Sequence, residues 1–288
     1  MKRLALLISV FLVWSTSSHG QNSPVWRLDS LPQADQLIVD EEGNIILLDT
    51  EQARIFRFLK AYNYDSLVFI GGRSNRQEGL VHPVAMSLQN RQSLFVLDDA
   101  VGRLLVLNPN LRIVQTQEYM GQGSGGFGEK GESLFPVDFA VGPLGEQFLI
   151  NRIDNRVVKI NSFGEEELRF AGPDFGPGAL YQPVEVGIDD ENYVYVSDTS
   201  RQLIKVYDLY GVFRFSLELA PGFSWEKFRI YRPWLICFRE DAASIMNLAR
   251  QEWVNLPFDW PETISDVFLR GSTLYILTGT SVIAYSLE

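Results

Sequence analysis

A unit of strand, turn, strand, polar knot and strand recurs along this chain, and such a repeat restricts the fold more than any other feature. Its copies read "QLIVDEEGNIILLDTEQARIFRFL", "AMSLQNRQSLFVLDDAVGRLLVLN", "DFAVGPLGEQFLINRIDNRVVKIN" and "EVGIDDENYVYVSDTSRQLIKVYD". A fourth strand-like run follows each: "SLVFIGG", "RIVQTQEYMG", "EELRFAG" and "VFRFSLEL". Asp49, Asp98, Asn151 and Asp198 end the second strand of each copy, 49, 53 and 47 residues apart. With the long connecting loops subtracted, that spacing is close to the ~40–50-residue period of a four-stranded propeller blade. Period-2 alternation dominates, and no long segment carries helical periodicity.

Two weaker copies complete the array. "EKFRIYRPWLICFREDAASIMNLARQEWVNLP" is the fifth, with Arg239 where the Asp stands elsewhere. "SDVFLRGSTLYILTGTSVIAYSLE" is the sixth, and it lacks a fourth strand. "PVWRLDSLP", residues 24–32, precedes the first unit and resembles the fifth unit's "EWVNLP". The prediction is an all-β, six-bladed propeller whose ring is closed by residues 24–32 joining the last blade, which removes the open edges that would aggregate. Each strand-ending Asp or Asn is expected to accept backbone N–H bonds in its turn. An Arg stands five residues on in three copies (Arg54, Arg103 and Arg156), placed to pair with it.

These repeats resemble the NHL-repeat family of six-bladed β-propellers, most closely in "QPVEVGIDDENYVYVSDTSRQLIKVYDLYG". The connectors "EGLVHP" (78–83), "GESLFP" (131–136) and "PGALYQP" (177–183) are similar to NHL connectors, a Gly before a large apolar residue and then Pro. The resemblance covers about residues 31–219 and implies the propeller fold; such propellers serve as binding platforms, extracellular sensors and, less often, enzymes.

The N-terminus reads as a processing segment. "MKR" is a positive start, "LALLISVFLVW" an apolar run of eleven, and Ser18 and Gly20 give the small-x-small pattern before Gln21. Eleven residues are too few to span a membrane, which takes roughly 18 or more. The expected organisation is therefore a signal peptide at 1–20 and one propeller domain at 21–288, exported to the periplasm or outside the cell. No Cys follows the apolar run, so no lipid anchor is expected, and later apolar runs are too short and charged for a span. Removing Lys2 and Arg3 takes the net charge from −11 to −13. A field of that sign repels nucleic acid.

Aligning the repeats places Gln36, Ala85, Asp138, Glu185, Lys227 and Asp266 at the starts of the innermost strands, so they should converge on one mouth of the central channel. Asp138, Glu185 and Asp266 there are candidate ligands for Ca²⁺, and clustered carboxylates raise one another's pKa. The ring is similar in type to the acidic metal site of gluconolactonase-like propellers. Gln36 and Lys227 complete a candidate site for a polar ligand. His82 is the one histidine beyond the signal, so a His-ligated zinc site of the kind found in NHL-like lyases lacks its ligands. The Gly-rich stretch 121–133 contains G-x-G-x-x-G without the strand–helix setting of a dinucleotide site and reads as a connector. Cys237, in "WLICF", reads as a buried inert thiol. Phe258 and Trp260, in the Pro-bounded "PFDWPE", are candidates for docking a partner.

With no catalytic set in view, the sequence favours a non-catalytic binding or scaffold propeller with a protein partner in a bacterial cell envelope. The alternatives are a Ca²⁺-dependent hydrolase, lactonase or lyase built on the acidic ring, or a binder of polar small molecules or glycans.

Overall fold

The computed structural model describes residues 24–72, 79–89, 93–119, 134–218, 223–254, 261 and 263–287. Among these, twenty-four strands form six four-stranded antiparallel sheets arranged as the blades of a ring. Numbered in chain order, the blades begin with the innermost strands Gln36–Val39, Pro83–Gln89, Pro136–Val141, Pro183–Ile188, Lys227–Tyr231 and Asp266–Arg270. Trp26–Leu28 pairs with Val282–Ala284 as the outer strand of blade 6, so the ring closes as the sequence predicts.

Burial follows from blades stacking face to face. The second strands Ile45–Asp49 and Gln147–Asn151 are buried at every residue, and the sequence there reads as near-continuous apolar runs. The outer strand Ser66–Gly71 keeps exposed residues at alternate positions, because only one of its faces is covered. Six apolar clusters result, one at each interface between neighbouring blades. Burying a Leu, Ile or Phe is worth ~1.5–3 kcal/mol, so the ring is held mainly by these seams.

The polar knots do local work. Asp98 accepts the N–H groups of Val81 and His82, tying its corner to the connector that leads into the same blade (2.9 and 2.8 Å). Asp198 does the same for Tyr181 and Gln182 (3.1 and 3.2 Å). Asn151 holds Phe135 N–H (3.0 Å), while Asp49 caps Gln52 N–H within its own turn (2.7 Å). Of the three expected carboxylate or amide to Arg pairs, Asp98–Arg103 forms, buried at 3.0 Å, whereas Arg156 turns instead to Asp154 and Asp174. Turns between third and fourth strands repeat one geometry, in which Asn108, Asn161 and Asp208 each accept N–H bonds from residues two and four further on. The next-to-last turn residue is left-handed, which suits Gly164 and Gly211; blade 2 places Leu111 there at φ 56°.

Candidate functional site

The innermost strands surround a central channel of about 640 Å³. Gln36, Ala85, Asp138, Glu185 and Asp266 line it together at one end, as their alignment requires. Lys227 departs from the set and faces an adjoining hollow of about 200 Å³ with Asp35, Glu226 and Glu240.

These side chains reach sideways as well as inward. Asp266 accepts Leu37 N–H across the closure seam at 2.8 Å, and Gln36 accepts Met86 N–H at 3.0 Å while donating to Val84 O at 2.6 Å. Asp138 accepts Val186 N–H at 2.8 Å, Glu185 accepts Phe228 N–H at 2.6 Å, and Lys227 donates to Ser265 O at 3.2 Å. Each of these residues therefore staples its blade to the next one round the ring. Blade 2 breaks the girdle, since Ala85 has no polar group to offer.

The decisive residue is one that the alignment of strand starts passed over. Arg229 lies two residues beyond Lys227, and alternation along a strand puts both on one face. Its guanidinium sits between two carboxylates, with Nη1 3.1 Å from Glu185 Oε1 and Nη2 3.0 Å from Asp266 Oδ1. Nη1 also donates to Phe228 O at 2.8 Å. The signal for it was present in "KFRIYR", where three cations in six residues crowd one innermost strand and its turn.

Enclosure in the channel wall sets the ionisation here. Desolvation, then the charge of Glu185, raises the Asp138 carboxyl to about 7, against the pull of Val186 N–H and Arg229. Glu185 is raised as well, by desolvation, with Arg229 opposing. Desolvation acts to discharge Arg229, but Asp266 and Glu185 hold its charge more firmly than in water. Channel water still reaches Asp138, Glu185 and Arg229, which are only half-buried, whereas Asp266 is buried.

The expected Ca²⁺ ligands do not fit an ion. Among the described residues no three His, Cys, Asp or Glu side chains stand together as an ion would need. The carboxylate oxygens are turned to backbone N–H groups, and the cation between Glu185 and Asp266 is Arg229. No step through a metal is therefore derived.

Other sequence candidates sit apart from the channel. His82 is exposed and bonded through Nδ1 to Asp99 Oδ1 at 2.6 Å, and Arg152 takes the other Asp99 oxygen at 3.2 Å. Cys237 is a fully buried free thiol, pushed up by desolvation. Trp225 is likewise core, packed edge-on to Phe228. Phe258, Trp260 and the Gly-rich stretch 121–133 lie outside the described residues. No described helix is long and apolar enough to cross a membrane.

No protein-family model matches the chain, and no curated protein matches it in sequence. Solved structures do match it in shape. A gluconolactonase from Xanthomonas campestris superposes with a TM-score of 0.66 at 15% identity, covering 90% of this chain and 89% of its own. A putative gluconolactonase gives 0.63 at 15% identity, with 90% of each chain covered. Virginiamycin B lyase from Staphylococcus aureus gives 0.58 at 12% identity, covering 88% of this chain and 80% of its own. At such identities the likeness shows the fold, a six-bladed β-propeller. It also corrects the expectation of a non-catalytic scaffold. That expectation rested on the lack of a Ser–His or His–zinc set, yet these three proteins, which share the shape over nearly the whole chain, are gluconolactonases and a lyase. The cluster around Arg229 is a set of titratable groups that contains neither.

Proposed function

We propose that the protein is an exported enzyme that opens lactones or related esters at the Asp138 end of the channel. One observation carries this reading. A carboxyl poised near neutral pH and a guanidinium face the same water-accessible space, which is large enough for a small substrate. The presence of a gluconolactonase and a lyase among similarly shaped proteins supports the class of chemistry.

In the proposed step, ionised Asp138 takes a proton from a channel water as its oxygen attacks the ester carbonyl. Arg229 N–H groups not committed to Glu185, Asp266 or Phe228 O steady the charge gathering on the carbonyl oxygen. The C–O bond to the ring oxygen then breaks, and the proton on Asp138 passes to that oxygen, leaving a hydroxy acid. With Asp138 ionised, three carboxylates face the single guanidinium of Arg229, so the site suits neutral substrates and disfavours anions such as phosphate esters. A lyase reading uses the same carboxylate to remove a C–H proton. The NHL-like repeat and the signal-like N-terminus support an NHL-type, exported propeller.

The test is hydrolysis of a panel of neutral γ- and δ-lactones and aryl esters by the purified protein, followed by acid release and product mass. Turnover is expected to fall about 10²–10⁴-fold in Asp138→Asn, the usual contribution of a general base, and to rise with pH through about 7 in the parent. Products gaining no water would favour elimination. Turnover equal in parent and variant, or none on the panel, would overturn the reading.

A further inference from the structure

We propose that Arg229 is a built-in cation of the channel, standing where a divalent ion would otherwise be needed to neutralise Asp138, Glu185 and Asp266. The inference rests on geometry and on charge, and does not depend on the reaction proposed above.

Three carboxylates from blades 3, 4 and 6 converge on one end of the channel. Left alone they would repel one another and take up protons, and positive charge among them lets them stay ionised. A divalent ion binding oxygen does this with about six to eight ligands at roughly 2.3–2.6 Å, which requires free oxygens aimed at one point. Here the oxygens are aimed elsewhere. Glu185 gives Oε2 to Phe228 N–H and Oε1 to Arg229 (2.6 and 3.1 Å). Asp266 gives Oδ2 to Leu37 N–H and Oδ1 to Val267 N–H and Arg229 (2.8, 2.9 and 3.0 Å). Asp138 gives Oδ2 to Val186 N–H at 2.8 Å.

The guanidinium is itself anchored. It is tied to the carbonyl of its neighbour Phe228 at 2.8 Å and stands 5.7 Å from the centre of the Phe238 ring. A fork of N–H donors matches two carboxylates in a way that a spherical ammonium does not. It is also part of the chain, so its charge is present at any calcium concentration and cannot be removed by a chelator. The girdle would then be complete as soon as the chain folds, with no ion to wait for.

Thermal unfolding and metal analysis of the full chain decide the matter, after chelation and then with Ca²⁺, Mg²⁺ or Zn²⁺ added. The parent protein is expected to retain no stoichiometric ion and to unfold at one temperature in all four conditions. Arg229→Met exposes the three carboxylates to one another, so its midpoint should drop in chelator and climb with added divalent ion, in proportion to the logarithm of concentration above the dissociation constant. Arg229→Lys keeps a positive charge and should unfold at an ion-independent temperature even if the Met variant does not fold. The proposal is overturned if the parent binds one equivalent of a divalent ion that Asp266→Asn abolishes, or if Arg229→Lys melts in a calcium-dependent way. It also fails if Arg229→Met matches the parent in chelator. Because no substrate is used, these outcomes leave the lactonase reading to be judged by its own assay.

Discussion

Arg57 and Arg229 are both clasped by carboxylates at seams between blades, yet water meets only one of them. Arg57 reaches Asp40 and the carbonyl of Pro109 between blades 1 and 2, where the side chains of Arg57 and Asp40 are 8% and 3% exposed. Beside it lies a hollow of only about 10 Å³, the room of a single water, and Arg57 Nε has no protein partner. Arg229 is 24% exposed and looks into a channel some sixty times larger. The same ion-pair chemistry thus serves two ends. Closed off, it fixes a seam; opened to solvent beside a carboxyl poised near neutrality, it becomes a place where a proton can move.

The largest effect that would break this contrast is expected at the closed pair. Asp40→Ala leaves the buried Arg57 with only the exposed Glu42 at 3.9 Å, and should cost about 3–5 kcal/mol in urea unfolding with the proposed lactone turnover per folded molecule unchanged. Replacing both partners with apolar residues of similar size (Asp40→Leu with Arg57→Met) should recover the part due to the unpaired charge, but not the turn bonds that Asp40 accepts from Glu42 and Asn44 N–H. A single variant no weaker than a surface change would show that the pair carries no seam.

A smaller effect sharpens the open site. The Asp138 carboxyl is raised in the folded protein, so the fold disfavours its ionised form. Below about pH 4 both folded and unfolded chains hold the proton and no difference arises. Between about pH 4 and 7 only the unfolded chain releases it, so stability should fall as pH rises, then stay level above 7. With channel water screening the group, the fall is on the order of 2 kcal/mol. Asp138→Asn should flatten that part of the curve, and an unchanged slope would place the titration elsewhere.

The smallest effect concerns the girdle. Gln36→Ala removes two inter-blade bonds at a partly wet position and should cost about 1 kcal/mol. A loss several times larger would make the girdle, rather than the apolar seams, the main tie between blades.

The fold was legible because its signals repeat. Asp49, Asp98, Asn151 and Asp198 mark one corner four times over, and "PVWRLDSLP" had no other place in the count than the last blade. The ends of the innermost strands were legible for the same reason, since equivalent repeat positions converge. What alignment could not supply is direction. A side chain at a strand start can point into the channel or across to the next blade, and the choice depends on which backbone N–H groups the neighbour leaves open. Arg229 escapes the alignment because it falls in one of the two weaker copies, two residues past the aligned Lys227, where "KFRIY" reads as an ordinary strand. Lys227, the one cation among the aligned positions, bonds Ser265 O and leaves the central charge to Arg229.

The pairing of Trp26–Leu28 with Val282–Ala284 has a consequence in time. Trp26–Leu28 finds its partner only when Val282–Ala284 exist, so a chain that stops short of them cannot complete the ring. Contacts that span the whole sequence form slowly, and until they do blade 6 waits with an edge uncovered.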